Sequence, residues 1–167
     1  MKKNQPVLHL PKSGVEKILD IVSLLLIVIN FGFLISVWHT LPEQVPIHFN
    51  GKGEVDGWGG RAVIWLLPTI SLFLWCCLTM MERVPHFFNY PIEITEKNAV
   101  FQYKNARMMS LFLKVEIILL FLYTSWESVH IAKGYEGGFG MATLPILLIF
   151  LLGSVAFFVT RSIRNAK

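Results

Sequence analysis

Residues 41–60, LPEQVPIHFNGKGEVDGWGG, gather many of the side chains in this 167-residue chain that could do chemistry. The stretch contains a histidine, three carboxylic acids, an asparagine, a tryptophan and five glycines. Its glycines lack the G-x-G-x-x-G spacing of a dinucleotide loop. Asn50, Glu54 and Asp56 alternate as in a calcium loop, but Val55 stands where a glycine is required and the distal glutamate is missing. These residue types therefore favour a recognition site over either nucleotide or calcium binding.

A metal-dependent hydrolytic centre is the alternative chemistry, and it would draw on residues from more than one loop. Zinc needs three or four histidine, cysteine or carboxylate ligands that converge in space. The side chains that could supply them at one membrane face are His39, His48, Glu127 and His130. Spacing alone does not bring them together, so we favour a binding protein without catalytic residues, metal or other cofactor over an enzyme.

Four apolar windows must position these residues. The chain is 54% hydrophobic and only 16% charged, whereas a soluble domain carries about 25% charged residues. About 20 helical residues cross a bilayer, and four windows reach that length: 18–38, 62–81, 108–126 and 139–160. We therefore predict an all-α integral membrane protein, a four-helix bundle in the lipid bilayer.

The windows also define the organisation of the chain. A single four-span domain over residues 18–160 lies between an N-terminal tail, 1–17, and a basic C-terminal tail, 161–167. The connections are a signature loop, 39–61, which we expect to be ordered, and a longer loop, 82–107. In the signature loop, QVPIHFN predicts a strand-like segment, and Ile47, Phe49, Val55 and Trp58 are expected to cover the helix ends as a lid.

Lysine and arginine are distributed unevenly around the spans. The two tails and the 82–107 loop hold eleven of them, whereas the other two connections hold three. By the positive-inside rule, both termini and the 82–107 loop are expected in the cytoplasm of a bacterium, and the signature loop outside the plasma membrane. Because the basic residues flank apolar segments and form no stripe, we expect no nucleic-acid partner.

Polar residues inside the windows need partners because charge is costly in a membrane. The residues concerned are Asp20, Asn30, Lys114 and Glu116. Lys114 and Glu116 are two residues apart, hence on nearly opposite helix faces, and cannot pair with each other. Asp20 lies near the depth of Lys114, so we predict a Lys114–Asp20 pair. Glu116 has no cation at its depth, and the nearest polar candidates are Asn30 and Ser71. It either fixes helix packing by a hydrogen bond or serves a proton-linked transport component.

The third helix is expected to begin before its apolar window. Thr95 suits the N-cap position and Glu96 the first turn. A helix from Glu96 through residue 126 has roughly 31 residues and is about 46 Å long. It should therefore project beyond the bilayer.

The signature loop closely resembles that of a small bacterial membrane domain of unknown function, which also forms the N-terminal part of SdpI-type immunity proteins. The pattern is P-x-H-F-N, then glycine, then D-G-W-G. It is carried here by Pro46, His48, Phe49, Asn50, Gly53, Asp56, Gly57, Trp58 and Gly59. The third-helix region is similar as well, with Asn98, Arg107, Lys114 and Glu116.

The resemblance implies a membrane sensor or immunity-type protein. Such proteins protect a cell from a secreted toxic peptide and can hold a repressor at the membrane. We therefore expect a peptide or envelope ligand at the signature loop and a repressor or another protein at the cytoplasmic face. Whether the chain forms a homo-oligomer is left open. The residues expected to bind the ligand are His48, Phe49, Asn50, Gly53, Asp56, Gly57 and Trp58. The sequence stops soon after the fourth window, so we expect it to lack the further C-terminal membrane domain of the SdpI type.

Overall fold

The fold was analysed in a computed structural model, which describes residues 5–166 apart from the side chain of Leu144. Four long helices follow one another along the chain: α1 (Gly14–Val37), α2 (Leu66–Met81), α3 (Ala99–Ala132) and α4 (Gly140–Arg164). With the 3₁₀ turns Trp38–Thr40 after α1 and Arg61–Trp65 before α2, all four are long and apolar enough to cross a membrane. The expected fold with four candidate spans is confirmed, and it indicates a multi-pass membrane protein.

Helix α3 is the centre of the bundle. It packs against α1, α2 and α4, whereas α4 packs chiefly on α3. Much of α4 is therefore exposed: Ile149 and Phe150 have exposed fractions of 70% and 65%. Aliphatic and aromatic side chains on such a surface suit contact with lipid. Side-chain amides of α3 hold the last turns of α4, where Gln102 donates to the Asn165 carbonyl at 2.9 Å and Asn105 to the Phe158 carbonyl at 2.9 Å.

Helix α1 begins at a side-chain cap, whereas the N-cap residue of α3 makes no side-chain cap hydrogen bond. Ser13 and Glu16 form a capping box, in which each side chain accepts the backbone N–H of the other residue. Helix α3 begins at Ala99 and not at Glu96 as expected. Residues 96–98 form a turn instead, and Thr95 and Asn98 exchange hydrogen bonds of 2.9 and 3.4 Å across it. The 34-residue helix is about 51 Å long, longer than an apolar bilayer core.

A two-stranded antiparallel sheet fills the connection between α1 and α2, and it confirms the strand-like segment expected there. Strand β1 (Gln44–Phe49) pairs with β2 (Val55–Gly60). Fully buried Val45 anchors the hairpin in a small core. The other buried members of that core are Leu34, Leu41, Ile64 and Val129. We call this the hairpin end of the bundle, and the opposite end, which holds both described chain ends, the basic end.

The expected lid is built only in part from the expected residues: Phe49 packs against Phe139, but Ile47 and Trp58 do not turn inward. Val45 and Pro46 are both buried, whereas Ile47 and Trp58 are each 50% exposed. The pairing register shifts between Pro46 and His48 and again before Phe49. Such bulges interrupt the strict alternation of faces along a strand, and β1 therefore turns two successive residues inward.

Candidate functional site

Asn50 builds the tip of the hairpin. Its side-chain oxygen accepts the backbone N–H groups of Lys52 at 2.8 Å and Glu54 at 3.1 Å. Its side-chain nitrogen donates to the Glu54 carboxylate at 3.0 Å. Asparagine commonly satisfies turn backbone in this way. Both polar atoms of Asn50 are thus used inside the loop, and the residue positions the site without presenting its amide.

Gly53 fixes the hairpin tip against the start of α4. Its φ of +80° lies in the left-handed region, which glycine adopts without steric cost. A Cβ atom at this position would lie 2.6 Å from the Gly140 backbone nitrogen. The Gly53 carbonyl also accepts the Phe139 N–H at 3.0 Å. This glycine is therefore required by both conformation and close packing.

The two inner glycines of β2 serve strand pairing. A Cβ atom on Gly57 would lie 2.9 Å from the His48 Cβ, and one on Gly59 would lie 3.0 Å from two side-chain carbons of Ile47. Both close approaches occur where β1 bulges. The glycines of the D-G-W-G motif therefore let the irregular strand β1 pack closely on β2.

Three side chains of the P-x-H-F-N and D-G-W-G motifs remain available to a ligand. His48 Nδ1 contacts Asp56 Oδ1, although the two side chains are 70% and 43% exposed. Trp58 lies opposite Pro46 and is half exposed. Phe49, by contrast, packs edge-on against Phe139 with ring centroids 4.4 Å apart. The surface therefore combines an imidazole–carboxylate pair with an indole, and we call His48, Asp56 and Trp58 the presented triad.

A cavity of about 260 Å³ lies beneath the hairpin. Pro46, His48 and Phe49 line it from β1, and Thr124 and Ser128 line it from α3. Because His48 borders both this cavity and the outer surface, a ligand on the hairpin could extend one group towards the helix ends.

The residues of the alternative metal site do not converge. His48 is paired with Asp56, and the carboxylate of Glu127 accepts the Gly138 N–H. His130 is stacked between Trp126 and Tyr135, with ring centroids at 5.0 and 4.7 Å. Within residues 5–166, no group of three or more histidine, cysteine or acidic side chains is placed to hold a metal ion. The geometry thus gives the metal-dependent hydrolase no support in the described residues.

A buried ionic network lies towards the basic end. The predicted Lys114–Asp20 pair is confirmed, with Lys114 Nζ 2.7 Å from Asp20 Oδ1. The same ammonium also lies 2.8 Å from Glu82 Oε1 and donates to Thr79 at 3.1 Å. Lys12 bridges the two acids from outside, 2.8 Å from Glu82 and in contact with Asp20. Two lysines and two acids thus neutralise one another where α1, α2 and α3 meet.

Lys12 and Glu82 were not predicted, because the sequence places both outside the apolar windows. One signal was present: Glu82 follows Thr79 by three residues and so continues the same helix face. Burial lowers the pKa of the Lys12 ammonium, but its hydrogen bonds to Asp20 and Glu82 outweigh this effect. The pKa of Lys12 therefore lies above the usual lysine value of 10.5.

Arg107 fastens the N-terminal segment over this network. Its guanidinium pairs with Glu16 at 2.5 and 3.1 Å and donates to the backbone carbonyls of Leu10 at 2.9 Å and Pro11 at 3.2 Å. Tyr103 donates to the Pro6 carbonyl at 2.8 Å. Residues 6–11 are therefore held on α3 by side-chain donors that reach main-chain acceptors.

The family match of this chain covers the hairpin. Residues 25–72 match the family described as a domain of unknown function (DUF1648). An uncharacterized protein from Archaeoglobus fulgidus is 29% identical over 89 residues, which are 48% of this chain and 49% of that relative. The match thus spans about half of either protein. No solved structure matches the chain.

The DUF1648 match covers the second half of α1, the whole hairpin and the start of α2. It includes the presented triad and Asn30, but neither Asp20 nor Lys114 and Glu116. Asn30 is 1% exposed, and neither polar atom of its amide has a hydrogen-bond partner among the described residues. The DUF1648 segment therefore carries the hairpin, while the ionic network of Lys12, Asp20, Glu82 and Lys114 lies outside that segment.

Glu116 has a different partner from those expected. Its Oε1 accepts the Ser154 hydroxyl of α4 at 2.5 Å, whereas Ser71 donates to its own helix at the Leu67 carbonyl. The reason is the helix face: Lys114 is directed towards α1 and α2, so Glu116, two residues on, is directed towards α4. This contact bears out a hydrogen bond between helices, and it leaves Glu116 Oε2 buried without a partner in the described part of the chain.

Proposed function

We propose that this protein is a membrane-embedded recognition module of the sensor or immunity type, which binds a peptide at its hairpin. One observation carries the proposal. Asn50, Gly53, Gly57 and Gly59 are used to build the hairpin, whereas His48, Asp56 and Trp58 are left exposed on it. A rigid scaffold that presents a few polar and aromatic groups is typical of binding loops.

The hairpin also offers a suitable main-chain surface. Among the described residues the sheet has two strands, so the other edge of β2 has no strand partner there. An extended peptide can add to such an edge through main-chain hydrogen bonds. Trp58 would then supply apolar contact area, and the His48–Asp56 pair would read polar groups of the peptide. Tryptophan is enriched among residues that dominate binding energy.

The orientation of the chain forms part of the proposal. The uneven distribution of lysine and arginine supports a hairpin outside the cell and a basic end in the cytoplasm. The resemblance of the hairpin motif to SdpI-type proteins adds a role in immunity or signalling. Peptide binding at the hairpin would be reported to a cytoplasmic protein, such as a repressor, at the basic end.

The proposal can be tested in cells that lack the gene. They are exposed to the peptide fraction of spent culture medium, and survival is compared after complementation with the wild-type chain, His48→Ala or Trp58→Ala. We expect the deletion to raise sensitivity and only the wild-type chain to restore resistance. Lys52→Ala, at the exposed hairpin tip, is the matched control and should restore resistance fully.

Expression of each variant is measured by membrane immunoblot, since an absent protein would imitate a loss of binding. The proposal is rejected if the deletion changes neither peptide sensitivity nor the expression of neighbouring genes. It is also rejected if Trp58→Ala and His48→Ala restore resistance as well as the wild-type chain does.

A further inference from the structure

A cavity of about 450 Å³ lies at the basic end of the bundle, beside the ionic network. Residues 8–12 of the N-terminal segment form one wall, Glu82, Arg83 and Pro85 form a second wall after α2, and Arg107 contributes from α3. Pockets of roughly 300–1,000 Å³ can hold small ligands. His9 and Arg83 are exposed residues, so the cavity opens to the surface, and we call it the basic-end cavity.

The wall of the basic-end cavity carries an excess of positive charge. Lys12, Arg83 and Arg107 line it, and Glu82 is the only acid among the described lining residues. Both carboxylate oxygens of Glu82 already lie 2.8 Å from an ammonium group, Oε1 from Lys114 and Oε2 from Lys12. Because the protein itself neutralises this carboxylate, an anion in the cavity would meet the cations without facing an uncompensated negative charge.

Arg83 supplies donors that the described part of the protein does not use. Among residues 5–166, its guanidinium makes no hydrogen bond, ion pair or ring contact. Lys12 keeps one ammonium hydrogen, because the other two are donated to Asp20 and Glu82. Arg107 uses its donors within the protein and so contributes its charge. A planar guanidinium with an ammonium suits the oxygen atoms of a phosphate.

The basic-end cavity lies where the apolar stretches of three helices end. Residues 8–12 precede α1, Arg83 follows the last residue of α2, and Arg107 immediately precedes the apolar window 108–126. In a membrane-spanning bundle, this level meets the head groups of the lipids. Basic pockets between helices at this level can hold phosphate-bearing head groups. Both the donors and their depth therefore favour a phosphate.

We propose that the basic-end cavity binds a phosphate group, which accepts hydrogen bonds from Arg83 and Lys12 and is attracted by the charge of Arg107. A phosphate monoester fits because it offers three acceptor oxygens and up to two negative charges. Its source is either an anionic phospholipid, of which phosphatidic acid is the simplest, or free phosphate. The bound group joins the N-terminal segment to the end of α2. This site does not depend on peptide binding at the hairpin.

The test uses the purified full chain, immobilised in nonionic detergent, and radiolabelled dioctanoyl phosphatidic acid. We expect saturable binding of one labelled lipid per chain. Unlabelled dioctanoylglycerol has the same acyl chains without the phosphate, and it should compete roughly tenfold less well or worse than unlabelled dioctanoyl phosphatidic acid, the loss expected for hydrogen bonds to a charged group.

Inorganic phosphate distinguishes the two sources of the group. If it competes as well as unlabelled dioctanoyl phosphatidic acid, the acyl chains add nothing, and the ligand is free phosphate. If it competes roughly tenfold less well or worse, the acyl chains contribute as well, and the ligand is a phospholipid. Either result supports a phosphate site in the cavity.

Arg83→Gln should lower the affinity for dioctanoyl phosphatidic acid roughly tenfold or more, and it removes no contact of the ionic network. Arg83→Lys keeps the charge and should retain part of the affinity. Arg164→Gln is the matched control, because Arg164 is an exposed arginine at the same end of the bundle that does not line this cavity. Leu8→Trp leaves every cation in place but fills the cavity, so it should weaken binding. Size-exclusion chromatography of each variant separates lost binding from misfolding.

A second measurement follows the N-terminal segment. Bound dioctanoyl phosphatidic acid should slow hydrogen exchange of the amides of residues 7–10 in the wild-type chain, because the phosphate links Lys12 to Arg83. Dioctanoylglycerol should leave this exchange unchanged. In Arg83→Gln, the lipid should no longer slow it.

Equal affinity of the wild-type chain and a monodisperse Arg83→Gln variant would overturn the proposal. So would equal competition by dioctanoylglycerol, since the acyl chains alone would then account for binding. An equal loss in Arg164→Gln would show that diffuse positive charge is sufficient, and undiminished binding by Leu8→Trp would place the phosphate outside the cavity. Either result would refute the site.

Discussion

Lys114 Nζ lies 2.7 Å from Asp20 Oδ1 and thereby joins α3 to α1 inside the bundle. The lysine side chain is fully buried, and its second acidic partner, Glu82, is fully buried at the end of α2. Three helices are thus fixed by one ammonium group. Because each of these charges depends on the others for compensation, the network is a sensitive point of the fold.

Replacing Lys114 by methionine should destabilise the protein strongly. The substitution keeps much of the apolar stem but leaves two acids with only Lys12 as a cation. Removing one partner of a buried ion pair costs about 3–5 kcal/mol, and we expect a loss of about 3 kcal/mol because Lys12 compensates in part. The free energy of unfolding in detergent measures it.

Lys104→Met is the matched control, since Lys104 is an exposed lysine on the same helix. Its effect should stay within about 0.5 kcal/mol. A double-mutant cycle of Lys114→Met and Asp20→Asn should give a coupling of about 1–2 kcal/mol. Additive effects of the two substitutions would contradict a direct interaction.

Depth along a helix was enough to predict the Lys114–Asp20 pair from sequence, because a charge inside an apolar window demands a partner near its own level. The contribution of Lys12 and Glu82 could not be foreseen in that way. Both lie outside the windows. Lys12 reaches Asp20 and Glu82 because the N-terminal segment folds back, and Glu82 reaches Lys114 because α2 ends beside α3. Such contacts depend on the direction that the chain takes after a helix ends, and the periodicity of apolar residues does not encode that direction.

For Glu116, the sequence predicted the need for a partner but named the wrong one. Its predicted depth does not say which neighbouring helix the side chain faces, and Ser154 on α4 took the place expected for Asn30 or Ser71. In the hairpin, the first strand followed from residue types, whereas β2 and the inward positions did not. The bulge in β1 buried Val45 and Pro46 and left Ile47 exposed.

Gly53→Ala should weaken the contact between the hairpin and α4. The new Cβ would meet the Gly140 backbone at 2.6 Å, and the backbone φ of +80° disfavours alanine. We expect a loss of about 2 kcal/mol or more, together with faster hydrogen exchange of the Phe139 amide, which donates to Gly53. Gly51→Ala is the matched control, as nothing lies within 4 Å of its Cβ position. Equal melting temperatures for both variants would refute this role.

Stability at alkaline pH should depend on Lys12. Its pKa in the folded chain lies above the usual 10.5, because hydrogen bonds to Asp20 and Glu82 outweigh burial. The stabilisation from these contacts is therefore complete below pH 10.5 and is lost as the pH rises through the higher folded-state value. Thermal melting at neutral and strongly alkaline pH should show a smaller decrease for Lys12→Met than for the wild-type chain. Lys17→Met, at an exposed position on α1, should behave like the wild-type chain. If all three proteins showed the same pH dependence of the melting temperature, Lys12 would not contribute to stability at alkaline pH.

Arg107→Lys should loosen the N-terminal segment while preserving the charge. The guanidinium of Arg107 reaches Glu16 twice and also the Leu10 and Pro11 carbonyls, a planar set of donors that one ammonium cannot reproduce. The lost hydrogen bonds should cost about 1–3 kcal/mol and expose residues 6–11 to protease earlier than in the wild-type chain. Arg164→Lys, at an exposed position at the end of α4, is the control for replacing an arginine by a lysine. If limited proteolysis cut this segment at the same rate in both variants, Arg107 would pair with Glu16 without holding the segment in place.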